Sequence, residues 1–218
     1  MNRAEIKHLA KEKIRGNKWN LLWPLLVISV ISSILTSFVG PKYNFDLTNV
    51  ENMETFEIVK ITPLESCLTF VIGILIAVIT AGYLKYVLNF VRTGKFNTDD
   101  ILNTVKAKWL DLLIANILVG IIVAVGSILF VIPGIIAALA LAMVDFIIID
   151  KDVKGADSLK ASNELMKGHK WEFFVFMLSF IGWYILVPFT LGILLIWLVP
   201  YVQVATVLYY DNLKPKKD

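Results

Sequence analysis

One cysteine, two histidines and few charges leave this chain little to do chemistry with. Cys67 stands alone among 218 residues, which excludes an intrachain disulfide and the disulfide scaffolds of small secreted domains. His8 and His169 lie far apart, and neither has a cysteine or a second histidine at metal-ligand spacing. No H-E-x-x-H, G-x-S-x-G, Walker A loop or dinucleotide fingerprint occurs. The expectation is therefore no catalytic residue, no cofactor and no metal. The basic segments lack the interleaved aromatics of a nucleic-acid platform, so no nucleic-acid partner is expected. Charged residues make up 18 %, against 57 % hydrophobic ones, and the mean hydropathy is +0.72. A soluble domain of this size cannot hide that much apolar surface, so the solvent for most of the chain is lipid.

What the chain does have is a set of long apolar runs, separated by polar segments. A span needs about 20 apolar residues to cross a hydrocarbon core of about 30 Å. Leu21 to Val39 and Leu64 to Val91 each meet that length. The stretch 112–149 holds two further spans broken at Ile132-Pro133-Gly134, and 173–210 holds two more around Pro188 and Gly192. For 112–149 a single bent, half-inserted segment is the alternative. The pattern predicts an all-α polytopic membrane protein of six transmembrane helices in three hairpins, one membrane domain over 1–218.

A polar amphipathic segment precedes each hairpin. Residues 2–17 read as a helix with Asn2 and Glu5 as a capping box, Ile6, Leu9, Ala10 and Ile14 on one face, and Gly16-Asn17 as its stop. Thr98 or Asp99 caps a second helix, and Asp157 or Ser158 a third. Basic amphipathic helices beside spans are expected in the headgroup plane, held by anionic lipid, unless they are simply solvated. The first segment is too charged and too long for the start of a signal peptide. Three basic-Trp pairs mark the entries into lipid: Lys18-Trp19, Lys108-Trp109 and Lys170-Trp171.

These features define a threefold internal repeat with units near 2–91, 96–149 and 156–210. The first unit carries an acidic outer loop, 42–62, with a weak strand signal over 55–61. Gly73, Ala77 and Ala81, and again Gly134, Ala138 and Ala142, are small residues four apart, a spacing that lets membrane helices approach closely. Counting the polar segments outside the spans, with Lys85 snorkelling to the same side, puts 19 of the 21 Lys and Arg residues on one side, leaving Lys42 and Lys60 on the other. By the positive-inside rule both termini face the cytoplasm of a cell membrane.

Two ionisable residues fall inside spans. Lys85 continues the first small-residue stripe and Asp145 the second, so they are candidates for an intramembrane ion pair or a shallow cavity, or else each snorkels to the interface on its own. Asn89, Asn116, Tyr201 and Gln203 add polar atoms, and Pro200 can kink the last helix.

Arg3-Ala4-Glu5 through Gly16-Asn17-Lys18-Trp19, Ile132-Pro133-Gly134-Ile135, Asp150 with Ser158-Leu159 to Ser162, Leu165 to Trp171, and Pro200-Tyr201 with Tyr209 together resemble the DUF975 family of bacterial integral membrane proteins. That resemblance implies a multipass membrane protein without an established activity, and it assigns no catalytic residue. Two functions are weighed. The first is a non-enzymatic protein acting on the bilayer or as accessory to another membrane complex, with a membrane-stress or immunity-type role. The second is a small transporter or lipid- and amphiphile-handling protein built around Lys85, Asp145 and Pro200. Anionic membrane lipids are the expected partners, with another membrane protein a further candidate. Oligomeric state is not readable from the sequence.

Overall fold

The computed structural model describes residues 2–39 and 62–214, and every regular element among them is helical. Most of the acidic segment and its strand signal lie outside the described residues. Helix α1 (Arg3–Ile14) opens as expected, with the Glu5 carboxylate accepting from the Asn2 backbone N–H at 3.1 Å. Gly16, at φ +86°, ends it in the left-handed conformation that glycine reaches without a Cβ clash.

Helix α2 (Lys18–Val39) carries Pro24 in its interior. Proline has no N–H to give the carbonyl four residues back, here that of Asn20. The Tyr86 hydroxyl supplies the missing donor to the Asn20 carbonyl at 2.7 Å, and Tyr83 donates to Leu21 at 2.9 Å. Both tyrosines belong to α3 (Pro63–Thr93), so the bonds that repair α2 also lock it to α3. Helix α3 starts at a Thr62–Glu65 capping box with Pro63 in its first turn and stops at Gly94, φ +73°.

Helix α4 (Asp99–Leu129) is continuous for 31 residues, so the segment expected as an amphipathic helix and the apolar run after it form one rod of about 46 Å. The chain reverses at Phe130, an extended residue, and Pro133 falls in the first turn of α5 (Val131–Ala140). The turn thus comes slightly before the expected break, and proline occupies a position where its missing N–H costs nothing. After an irregular turn at 141–143, α6 (Val144–Lys151) completes the apolar run. Helix α7 (Gly155–Leu165) packs on α4 and α6. It begins earlier than Asp157 or Ser158, and its first N–H is capped from another helix, by Asp111 Oδ1 of α4 at 3.0 Å.

The last apolar run does not form two rods. It breaks into α8 (Lys170–Leu178), α9 (Ile181–Ile185), a 3₁₀ turn at Pro188–Thr190 and α10 (Leu195–Leu213). Four helices are long and apolar enough to cross a membrane: Lys18–Phe38, Pro63–Thr93, Asp99–Leu129 and Val131–Lys151. The six expected spans therefore reduce to four such helices among the described residues.

Two fixed points define the course of α10. Near its C-terminal end Asp211 meets Arg92 in the last turn of α3. Near its N-terminal end Trp197 shares a groove with Ile14, Arg15 and Lys18, where α1 passes into α2. Both points lie at the same, basic end of the bundle. Helix α10 consequently runs beside α1 across the ends of α2 and α3, and not along them. The core sits there too: Ile6, Ile14, Leu21, Tyr83, Tyr86, Val204 and Tyr210 are all fully buried, whereas Phe38, Leu64, Ile128 and Phe130 at the far end are exposed. Exposed apolar side chains on long helices are what a lipid-facing surface requires.

Candidate functional site: a polar layer at the basic end

Three helices end together at the centre of this layer. The Arg92 guanidinium closing α3 reaches Asp150 Oδ1 on α6 and Asp211 Oδ1 on α10, both at 2.5 Å. Lys214 joins both carboxylates, and the Tyr210 hydroxyl donates to Asp150 Oδ2 at 3.1 Å. Arginine's planar fork suits two carboxylates at once. Both cations also lie where helix C-termini concentrate partial negative charge. Further bonds stitch the rim. Asn89 donates to Asp100 at 2.6 Å, Lys108 pairs with Asp152, and Lys13 Nζ caps α3 at the Val91 carbonyl at 2.8 Å.

The amphipathic helices are packed parts of this layer. On α1, Ile6, Ala10 and Ile14 are buried against protein, chiefly α10, so the apolar face expected in the headgroup plane is covered. Lys7 donates to the Ser179 carbonyl at 3.2 Å and stands 4.5 Å above the Phe180 ring; partial burial, and then Arg3, lower its pKa from the ordinary lysine value. On α7, Ser158 and Ser162 are fully buried. Ser162 Oγ donates to the Ala140 carbonyl at 2.9 Å and accepts from the Met143 N–H at 3.2 Å. Those are backbone groups that the α5–α6 break leaves without helical partners, so α7 repairs the discontinuity as Tyr86 repairs that at Pro24.

Asp145 stands in the first turn of α6, just past the break, and accepts from Asn116 Nδ2 at 3.2 Å. Lys85 is half-buried and forms no ion pair with Asp145. The amide from α4 takes the place expected of the lysine. Among the described residues no group of three or more His, Cys, Asp or Glu could hold a metal ion.

The small-residue stripes are realised only in part. Ala81 and Gly134 are buried, but Gly73 and Ala138 are exposed, and a Cβ on Gly73 would meet nothing within 4 Å. Gly134 is the stripe glycine in close contact, a Cβ there falling 2.9 Å from the Ser127 backbone, and the other close approaches fall outside the stripes. A Cβ on Gly82 would lie 2.7 Å from the Ile101 carbonyl, one on Gly155 2.9 Å from that of Asp111, and Gly126 faces Gly134 across the turn. In the three basic-Trp pairs, Trp19, Trp109 and Trp171 are 72 %, 53 % and 74 % exposed. Lys18 is exposed, while Lys108 and Lys170 are half-buried, Lys170 donating to Asn163 at 2.9 Å.

A family model described as "Protein of unknown function (DUF975)" matches residues 1–140 and 116–217, nearly the whole chain. The chain belongs to the DUF975 family. No curated protein and no solved structure matches it. In this DUF975 member the central arginine network escaped the motif reading, although one signal was available. Arg92, Asp150 and Asp211 are each the charged residue at the end of an apolar run, and a common end to three runs is a natural meeting point.

Proposed function

We propose that this protein is a non-enzymatic multipass protein of the cell membrane. It acts on the bilayer or as an accessory to another membrane complex, in a membrane-stress or immunity-type role. The observation that carries the reading is the Arg92–Asp150–Asp211–Lys214 network. It spends its charges on one another and so joins α3, α6 and α10 into a cap over a lipid-facing bundle, which is the construction of a scaffold. The concentration of Lys and Arg at this end supports placing it, with both termini, in the cytoplasm.

The repeat has support at its elbows. Gly16 and Gly168 have φ +86° and +84°, Ile14 and Met166 two residues earlier are both buried, and a Lys-Trp pair follows each. The proposal is a repeated unit whose third copy folds back as a cytoplasmic cap, leaving four crossings.

One observation favours the transporter or amphiphile-handling reading instead. Asp145 sits beside a broken helix, a place where transporters build sites. Native mass spectrometry of the full chain, gently extracted from its own membrane at native expression, separates the two. A stoichiometric membrane-protein partner supports the accessory role. Recovery alone with a defined amphiphile, lost in Asp145→Asn, replaces it with the handling role.

A further inference from the structure

His8, Lys11, Glu12, Ile14 and Arg15 of α1 line a groove of about 380 Å³ with Lys18, where α2 begins, and Trp197 of α10. Three cations face one carboxylate there, and the Glu12 carboxylate is shared with His8 at 3.8 Å. Most basic residues near the layer are engaged: Lys7 and Lys13 cap carbonyls, and Arg92, Lys108 and Lys214 hold carboxylates. Lys11, Arg15 and Lys18 are exposed, and among the described residues no hydrogen bond or ion pair engages the side chain of any of the three.

Apolar surface borders the groove on both sides. Trp19 and Trp23 of α2 are 72 % and 43 % exposed, and Ile193 and Ile196, leading into Trp197, are 68 % and 41 % exposed. Trp197 is fixed from behind, stacked on Tyr201 at 4.8 Å and edge-on to Trp183 at 5.5 Å. A cluster of free cations flanked by tryptophans at the edge of a lipid-facing surface matches a molecule that is anionic at one end and apolar at the other.

We infer that this groove binds the phosphate headgroup of an anionic phospholipid, with Lys11, Arg15 and Lys18 on the phosphate and the acyl chains running along the tryptophan-lined flanks. The inference rests on the orientation proposed above, but it concerns a defined site and not general attraction to the surface.

The test uses the full chain in nanodiscs of mixed phosphatidylglycerol and phosphatidylcholine, counting lipids retained after detergent release by native mass spectrometry. Wild type should retain about one phosphatidylglycerol per chain, and Lys11→Gln/Arg15→Gln/Lys18→Gln should lose it. With each basic residue at an anionic surface contributing roughly a fivefold factor, retention should fall about 100-fold. A control triple at exposed cations elsewhere, Lys106→Gln/Lys151→Gln/Lys160→Gln, should keep it. Equal retention by wild type and the groove triple, or equal loss in both triples, overturns the assignment. So does glycerol 1-phosphate displacing the lipid at comparable concentration, which would make the groove a site for soluble phosphates. None of these outcomes bears on whether a protein partner exists, so the accessory reading stands or falls separately.

Discussion

At the scale of single residues, the described chain is held by hydroxyls that serve broken backbone. Tyr86 is 1 % exposed and donates to the carbonyl that Pro24 orphans. Tyr86→Phe removes that donor and leaves a buried acceptor unpaired, a loss of about 1–3 kcal/mol. Pro24→Ala returns an N–H to the same carbonyl, so Tyr86→Phe should cost less than half as much in the Pro24→Ala background. Apparent melting temperature in mild detergent reads both. Equal costs in the two backgrounds would show that the hydroxyl does not act on the proline gap. Tyr209 is the contrasting case. It is 1 % exposed, stacked on Phe176 with Phe173 tilted against it, and its hydroxyl has no partner among the described residues. Tyr209→Phe should therefore leave the melting temperature unchanged or raise it, since it removes only an unpaired buried polar group. A drop as large as that of Tyr86→Phe would mean that the hydroxyl is engaged. Neither role was legible in the sequence. Pro24 lies within the apolar run 21–39, but the tyrosine that answers it is 62 positions away, and only the packing of α3 on α2 brings them together.

At the scale of helices, amphipathic starts and glycine stops were readable because they depend on neighbours a few residues apart, as at Asn2–Glu5 and Gly16. Packing was not, because spacing says which residues share a face but not what the face meets. Gly73 has ideal stripe spacing and open surroundings, whereas Gly82, outside both stripes, sits against the Ile101 carbonyl and the Val105 side chain. Gly82→Ala must push α3 and α4 apart at their tightest crossing and should cost about 1–3 kcal/mol. Gly73→Ala meets nothing and gains helix propensity, so it should be neutral or stabilising by up to about 1 kcal/mol. Thermal denaturation of the two variants side by side decides between this packing and the stripe. A larger loss for Gly73→Ala would restore the stripe as the true interface. The expected ion pair shows the same limit of spacing: Lys85 and Asp145 each continue a small-residue stripe, but it is Asn116 that approaches Asp145, from α4.

At the scale of the whole molecule, the unsettled quantity is the number of crossings, and the third apolar run decides it. Length and hydropathy over 173–210 read as a hairpin because composition cannot tell a rod that crosses lipid from short helices that fold over the ends of others. The difference lies in side chains that meet only after folding: Arg92 with Asp211 at one end of α10, and Trp197 beside Ile14 and Lys18 at the other. A six-span arrangement carries the 188–192 turn to the outer face, while a folded-back unit keeps it on the cytoplasmic half. Phe189, 82 % exposed within that turn, is a suitable reporter. Cys67, itself exposed near the start of α3, must first be removed by Cys67→Ser so that a single thiol remains. With Phe189→Cys in that background, a membrane-impermeant maleimide added to intact cells should leave the thiol unlabelled, whereas a permeant one should reach it. Restoring Cys67 in place of the reporter gives the outer-face control, because the proposed orientation puts the start of α3 outside in either topology. Labelling of Phe189→Cys from outside at the rate of Cys67 would restore six crossings and dissolve the cap. The groove between α1 and Trp197 would go with it, since that groove exists only if α10 lies across the helix ends.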